Sequence, residues 1–553
     1  SVQVDHGAGS AHLSRSTINH QVRQYSDRVV TVKESIPPIL RPDQVKPITL
    51  AELQSRFGLP QANSVSLEAG RPLTGISMNT ADLRPGDLFV AMPGKKTHGA
   101  QFAVKALELG AVAIVTDADG YSILATTEVD SAVPVLLLEA PRTHLGELAA
   151  FVYGNQTGSQ PMIYGTTGTN GKTSTTYLLE GILRQLGQVT GLTSTAERHI
   201  AGEVIVSRLT TPESTEMQAL IARMRERGVQ SIAIEVSAQA LSQLRVDGIR
   251  FDVVGFTNLS HDHFDDYGGF EPYLEAKAEL FTQARAKRGV ICLDSEFGAQ
   301  FAAKSEIPFV TISNLGSGVA SDWLVEVLEE TPKNTRFELR DSAGQQRIQT
   351  TVPVIGAHMA ANAGLAMVML MQGGWSVDQI RAAVAGGIEA YLPGRTENVS
   401  SGKGPAVYVD FGHSPDAFKN TLAAVRHVTS GRVIMVFGAD GDRDASKRPA
   451  MSQVAADGCD ILVITDHHPR FEDPASIRKV LVDSAKQHRP DLEIHEVSPP
   501  EAAIRVAVSL AQEGDSILWA GPGHQDYRDI RGVRTPYSAR AEARAALKEC
   551  GWS

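Results

Sequence analysis

The sequence predicts an α/β protein of three domains: a central phosphate-loop unit built on a parallel sheet, a smaller N-terminal α/β unit and a C-terminal Rossmann-like unit. Three observations carry that prediction. The chain has 553 residues, too many for one hydrophobic core at roughly 150 residues per domain. Short apolar runs alternate with helix-patterned stretches, as in parallel sheets buried on both faces. One strand-to-helix junction, Tyr164-Gly165-Thr166-Thr167-Gly168-Thr169-Asn170-Gly171-Lys172-Thr173-Ser174, carries three glycines and a lysine.

Residues 1 to 45 are polar without a sustained period and read as a mobile extension, with one short strand near Arg28 to Val32. In the first unit, 46 to 158, Leu50 to Phe57 reads as a helix and Gly86 to Met92 as a turn into a buried strand. A helix over Gln101 to Gly110, strands at Ala111 to Thr116 and Pro134 to Leu138, and a helix over Arg142 to Tyr153 follow. The second unit, 159 to 394, takes strands at Met162 to Tyr164, Val229 to Val236 and Asp252 to Phe256. Its helices run from Thr173, over Glu216 to Arg227, Tyr273 to Ala286 and Ala361 to Gln372, before the turn Leu392-Pro393-Gly394. The third unit, 395 to 553, repeats the alternation. Strands at Val407 to Asp410, Val433 to Phe437, Ile461 to Thr465 and Ser516 to Ala520 are separated by helices at Asp416 to Arg426, Pro474 to Lys486 and Pro500 to Gln512.

Composition narrows the function classes. A net charge of −11 with no long basic block argues against a surface that neutralises nucleic-acid phosphates. Cys292, Cys459 and Cys550 lie far apart with no C-x-x-C pair, so zinc and redox couples are not indicated and the usage fits a reducing cytoplasm. No apolar run reaches the length of a membrane span or forms a signal core. Ser1 in place of methionine reads as a trimmed or processed start.

The junction at 164–174 has the parts of a triphosphate site. Glycines bring backbone N–H groups against phosphate oxygens, the following helix adds its positive end, Lys172 reaches the terminal phosphates and the Thr173 hydroxyl ligates Mg²⁺. The strict G-x-x-x-x-G-K-[ST] spelling asks for glycine at 166, where Thr166 stands; the glycine lies one place earlier, at Gly165. Glu235, at the carboxyl end of a buried strand, faces the crevice where a second Mg²⁺ ligand is needed. Thr257-Asn258-Leu259-Ser260-His261-Asp262-His263-Phe264-Asp265 packs two histidines and two aspartates behind another buried strand, a metal loop or a structural polar loop by spacing alone.

The ordered motifs resemble the Mur ligases. They comprise the Gly-Thr-Asn-Gly-Lys-Thr loop, Thr210-Thr211-Pro212-Glu213, Glu235-Val236-Ser237, the 257–263 stretch, Tyr273-Leu274-Glu275-Ala276-Lys277, and Gly394-Arg395-Thr396-Glu397. Asp410-Phe411-Gly412-His413, Gly441-Asp442-Arg443-Asp444, Asp466-His467-His468-Pro469-Arg470 and Gly521-Pro522-Gly523-His524-Gln525 continue the series. The later motifs look like those of family members that add the third residue of the peptidoglycan stem peptide.

The resemblance implies ATP as the energy source, two Mg²⁺ ions, and a UDP-N-acetylmuramoyl dipeptide and a diamino acid as substrates. The dipeptide's terminal carboxylate becomes an acyl phosphate, which the amine then attacks. It assigns Lys172, Glu235, His263 and a carbamylated Lys277 to catalysis, and Thr173, Glu235, His263 and Lys277 to the metal. Gly168, Thr169, Asn170, Gly171, Lys172, Thr173, Ser174, Asn258, Asn362, Arg395, Asp410 and His413 are assigned to the nucleotide. Thr80, Thr210, Thr211, Ser237, Gln243 and Arg245 go to the UDP-linked substrate, and Arg443, His467, His468, Arg470, Gly521 and Gln525 to the amino acid. A cytoplasmic monomer is the implied setting.

The chain departs from the family pattern in places. Asn79-Thr80-Ala81 stands for Asp-Ser-Arg, and Met359 replaces the first asparagine of the Asn-x-x-Asn before Asn362. Where diaminopimelate-adding members carry Asp-Asn-Pro-Arg and Gly-Lys-Gly-His-Glu, this chain has His467 and His468 before Pro469-Arg470, then Pro522 and Gln525. Arg470 argues for a carboxylate on the incoming side chain, whereas losing the glutamate removes an acidic partner for its ammonium. Meso-diaminopimelate, L-lysine and L-ornithine all stay open. The alternatives are another ligase of the superfamily, folylpolyglutamate- or cyanophycin-synthetase-like, or a non-catalytic nucleotide-binding relative.

Overall fold

The computed structural model describes residues 39–67, 72–94, 96–207, 209–260 and 267–552. The expected strand near Arg28 and nearly all of the extension lie outside these residues. The described end of that extension is tied down. Arg41 pairs with Asp87 at 2.6 Å, and the backbone N–H groups of Asp43 and Gln44 donate to Glu226.

The first sheet contains β1 (Gly75–Ser77), β2 (Asp87–Ala91), β3 (Ala113–Thr116) and β4 (Val135–Leu137), paired in that order and all parallel. Local sequence sets its helix ends. Thr49 and Glu52 form a reciprocal capping box at the start of the Leu50–Phe57 helix, and Gly58 ends it at φ 64°. The Pro141–Val152 helix starts on its proline, whose missing N–H costs nothing at that position. Leu145, Leu148 and Val152 of that helix share a core with Ala219 and Ala222 from the Ser214–Glu226 helix of the second unit.

The second sheet holds eleven strands in the order β15-β14-β13-β12-β11-β10-β5-β9-β6-β7-β8. Its parallel centre consists of β5 (Met162–Thr167), β6 (Thr190–Thr193), β9 (Ser231–Glu235), β10 (Phe251–Phe256), β11 (Ala286–Cys292) and β12 (Phe309–Asn314). Helices Lys172–Gln185 and Ala357–Gln372 cover one face through Leu178, Ile182 and Met367; Met217, Leu220, Phe256 and Phe301 fill the other. Burial on both faces explains why these strands read as continuous apolar runs. The sequence reading assigns no element between 287 and 355, where the chain adds β12, β13 (Trp323–Glu330), β14 (Thr335–Asp341) and β15 (Arg347–Val352). The antiparallel edge is partly solvated: β15 alternates exposed with buried positions up to Gln349. It also misses β6 and the edge hairpin β7 (Glu197–Ile200) and β8 (Glu203–Val206). The helix expected over Tyr273 to Ala286 is Phe270–Ala278 followed by one 3₁₀ turn, because Ala286 already pairs with Phe251 as the first residue of β11.

The third sheet runs β16-β17-β21-β18-β19-β20, with β16 (Glu397–Asn398) antiparallel to β17 (Ala406–Asp410). β18 (Val433–Phe437), β19 (Ile461–Ile464), β20 (Glu493–Glu496) and β21 (Ser516–Ala520) are parallel, and a hairpin of β22 (Tyr527–Ile530) and β23 (Val533–Pro536) follows. The carboxyl ends of β17, β18, β19 and β21 therefore share one edge. In open α/β sheets that edge is where ligands bind. Among the described residues no helix is long and apolar enough to cross a membrane.

Candidate functional site

Strand β5 continues through Gly165 to Thr167, so the phosphate loop proper is 168–171. Gly165 is a packing glycine: a Cβ there would come within 2.8 Å of the Phe251 ring. The displaced glycine of the spelling therefore belongs to the sheet and not to the phosphate cradle. The loop glycines are Gly168 and Gly171, at φ 145° and 84°. A Cβ on Gly168 would lie 1.9 Å from Thr257 Oγ1, and one on Gly171 2.6 Å from Asn362 Oδ1.

A cavity of about 780 Å³ opens over this loop. Its lining includes the loop residues Thr169 to Ser174, then Thr210, Glu235, Ser237, Arg245, Asn258, Lys277, Asn362, Arg395, Asp410, His413 and Arg443. Residues scattered over nearly 300 positions thus converge, most of them from the carboxyl ends of strands and from helix starts, with Lys277 added from the last turn of Phe270–Ala278 and Asn362 from the second turn of Ala357–Gln372. Lys172 Nζ donates to the carbonyls of Gly168 at 3.1 Å and Thr169 at 2.8 Å. Lys277 is buried, its Nζ 2.7 Å from Gly168 O and 4.4 Å from the Tyr273 ring centre.

Glu235 anchors the floor. Its Oε2 accepts from the Thr173 hydroxyl at 3.0 Å and the Thr195 N–H at 2.9 Å, and its Oε1 accepts from the Thr195 hydroxyl at 3.0 Å. Arg395, between the second and third sheets, donates to Thr173 Oγ1 at 2.8 Å and stacks on Phe411, its carbon centre 4.3 Å from the ring. Burial pulls the Arg395 guanidinium below its usual range, against Glu235 and Asp410. Asp410 braces this crossing, accepting from the backbone N–H groups of Thr396 at 2.8 Å and Gly412 at 2.7 Å, while His413 Nδ1 lies 2.9 Å from Phe411 O.

Several of the expected ligand-contacting residues also have partners within the protein. Asn258, assigned to the nucleotide base, spends its amide on the loop: Oδ1 accepts from Asn170 N and Nδ2 donates to Asn170 O, both at 3.0 Å. Thr211 is fully buried, and its hydroxyl donates to the Glu235 carbonyl at 2.9 Å. Ser237 caps a helix through Ala240 N at 3.1 Å. Arg245 is held by Glu213 at 3.0 Å and by Gln243 Oε1 at 2.7 Å, and Arg142 reaches the same glutamate at 3.3 Å. Thr80 lines a separate groove of about 260 Å³ with Arg142, beside Asn79, whose side chain caps the turn that Thr80 begins. His263 lies outside the described residues.

Sequence reasoning missed Thr195, which follows the unrecognised strand β6, and Asp440. The second sits in the loop just beyond β18, beside the amino-acid set. There His467 Nε2 lies 3.5 Å from Asp440 Oδ1 and Arg470 Nη2 3.7 Å from Asp440 Oδ2. Burial and the adjacent His468 push His467 down to about 3, so it is neutral near pH 7. His468 is also pushed down by burial, and its tautomer follows from its partners. Asp529 N–H donates to Nδ1 at 2.9 Å, so Nε2 carries the proton and donates to Gln525 Oε1 at 2.7 Å. With its one lone pair used, His468 cannot ligate a metal, although Asp440, His467 and His468 lie within 4.8 Å of one another. Arg470 is held at φ 52°, a conformation costly for a side-chain-bearing residue, by backbone hydrogen bonds to Asp529 and Arg531. Gly521 stands beside the His467 ring, whereas Arg443 lines the large cavity and not this cluster.

Three family models match the chain: the Mur ligase middle domain over residues 166–370, the Mur ligase glutamate ligase domain over 394–523, and the Mur ligase family catalytic domain over 72–153. The chain is 51% identical to a UDP-N-acetylmuramyl-tripeptide synthetase of Leifsonia xyli subsp. xyli, covering 93% of this chain and 99% of that one. It is 40% identical to a UDP-N-acetylmuramoyl-L-alanyl-D-glutamate--2,6-diaminopimelate ligase of Streptomyces avermitilis, over 93% and 98%. A solved structure of a ligase of that second description superposes with TM-score 0.63 at 26% identity, covering 92% of this chain and 100% of that one. The fold is also that of MurF from Thermotoga maritima in complex with ADP, at TM-score 0.60 and 18% identity over 86% and 97%.

Proposed function

The chain belongs to the Mur ligase family, and on that premise we propose that it is an ATP-dependent ligase of peptidoglycan precursor synthesis, adding a diamino acid to UDP-N-acetylmuramoyl-L-Ala-D-Glu. The observation that carries the reading is the convergence on one cavity of a phosphate loop, the buried Glu235 and Lys277, and Arg395 and Asp410 from the third unit. A nucleotide binder needs the loop alone; a ligase needs groups that bring two anions together.

The first step transfers the γ-phosphoryl group to the dipeptide's terminal carboxylate. Lys172 and the loop N–H groups offset the triphosphate charge, and Arg395 steadies the same region from the opposite unit. The diamino acid's α-amine then attacks the acyl phosphate, the tetrahedral centre collapses, and inorganic phosphate leaves as the amide forms. Thr173 and Glu235 offer the hard oxygen donors that suit Mg²⁺, which when bound supplies charge neutralisation for phosphoryl transfer. Carbamylation of Lys277 would turn a buried cation at the loop into an anionic oxygen donor for the same ion, with His263 as a further ligand. Asn362 and His413 serve the nucleotide, and Thr80, Thr210, Ser237, Gln243 and Arg245 the UDP-linked dipeptide. The units 46–158, 159–394 and 395–553 would bind UDP, ATP and amino acid respectively, in the cytoplasm and as a monomer.

Phosphate release from ATP and the UDP-linked dipeptide, measured with meso-diaminopimelate, L-lysine and L-ornithine in turn, tests this reading. Turnover should appear with one of them. No release with any of the three would sink it.

A further inference from the structure

We infer that Asp440 receives the distal ammonium of the incoming diamino acid, in place of Gln525. The inference rests on the ligase reading above. Gln525 is unsuited to the task in this structure. Its carbonyl oxygen already accepts the His468 proton at 2.7 Å, and the orientation is forced, because the Asp529 N–H on Nδ1 leaves His468 only a donor to offer. What Gln525 has left is an NH₂ group, 3.5 Å from the Tyr527 hydroxyl. A donor faces an ammonium unfavourably.

Asp440 has the opposite character. It is the carboxylate of the cluster, contributed by the loop after β18 between the ends of β21 and β19. Its Oδ1 is buried and has no hydrogen-bond partner. The nearest candidate, His467 Nε2, stands 3.5 Å away. Arg470 faces it at 3.7 Å, beyond hydrogen-bond range, and Arg470 Nε is likewise buried and unpartnered. Buried polar atoms left without partners are costly, and two of opposite charge in one cluster mark the place of a ligand that satisfies them. Oδ1 and Arg470 Nε are themselves covered, but the side chains of Asp440 and Arg470 keep 25% and 24% of their surface exposed, so an incoming ammonium reaches the carboxylate from its exposed side. Arg470, ion-paired with Asp440 at 3.7 Å, faces the same opening and can meet a carboxylate of the same substrate.

The test compares the wild-type enzyme with Asp440→Asn and Asp440→Glu in full ligation assays. Each accepted diamino acid is set against its analogue lacking the distal amine: L-norleucine for lysine, L-norvaline for ornithine, 2-aminopimelate for diaminopimelate. The ratio of kcat/KM for the diamino acid to that for its analogue is independent of the fraction of enzyme folded. Asp440→Asn should lower this ratio at least about tenfold, raise KM for the diamino acid, and leave KM for ATP unchanged; Asp440→Glu should restore part of the ratio. An unchanged ratio in Asp440→Asn would overturn the inference, as would a fall seen in Gln525→Ala but not in Asp440→Asn. Wild-type enzyme that ligates no diamino acid defeats the ligase reading instead, a distinguishable outcome.

Discussion

The phosphate-loop region and the Asp440 cluster are built from the same kind of parts at the same kind of place, yet they differ in how their carboxylates and amines are paired. Around the loop, most charged groups already answer one another, although Arg395 Nε is buried without a partner. Glu235 takes three donors, Asn258 spends both ends of its amide on Asn170, and Lys172 and Lys277 rest on loop carbonyls. Around Asp440, a carboxylate oxygen and a guanidinium nitrogen remain without partners, and a left-handed arginine is held in place. The contrast separates a preorganised centre, whose geometry serves chemistry common to the family, from a recognition site whose incomplete bonds await a particular side chain.

If the loop is the preorganised centre, Lys172→Ala should lose ligation by about 10³-fold or more, read as phosphate release at saturating substrates; surviving activity would break the mechanism. Glu235→Gln keeps the shape but removes the charge, and a loss of about 10²-fold in kcat is expected with a smaller change in KM for the amino acid. Gly168→Ala forces a Cβ into Thr257 at a φ that side chains avoid, so thermal melting should show a loss of more than about 2 kcal/mol. Unchanged stability would mean that the loop relaxes freely and is not preorganised.

Two histidines sharpen the comparison through pH. In the central sheet, burial alone would lower His199, but Glu180 and Glu197 outweigh it and hold the group at about 9, above the ordinary 6.5. Its contribution is complete below pH 6.5 and is lost as pH rises through about 9. His467 has the reverse sign. Buried and neutral at about 3, it contributes fully above pH 6.5 and loses that contribution as pH falls toward 3. Each effect is of the order of a few kcal/mol at most. Urea melts across pH 4 to 10 should show the alkaline slope flatten in His199→Gln and the acid slope flatten in His467→Gln. The same slope in variant and parent would refute the corresponding assignment.

Much of the fold was legible because its determinants are local. The strands Val433–Phe437 and Ser516–Ala520 are apolar throughout and appear where the runs predict them. The proline-led starts of Pro474–His488 and Pro500–Leu510 are likewise visible in the chain. The antiparallel edge from Trp323 to Val352 was not legible, since partly solvated strands carry polar residues that weaken the apolar-run signal. Lys172, Thr173 and Glu235 could be named from spacing because a strand-loop-helix junction puts them at the sheet's edge. Thr195 and Asp440 carried no such pattern.

Local sequence determined where strands, helix caps and the phosphate loop lie, because burial on two faces, capping oxygens and glycine's tolerance of left-handed backbone act over a few residues. Only the tertiary structure decided which partner each polar group has. Whether Asn258 reads a base or braces a loop depends on Asn170, 88 positions away. Whether Gln525 meets an ammonium depends on His468, 57 positions away, whose own proton is placed by Asp529. Hydrogen-bond capacity is consumed by neighbours in space, and neither periodicity nor motif spacing carries that information.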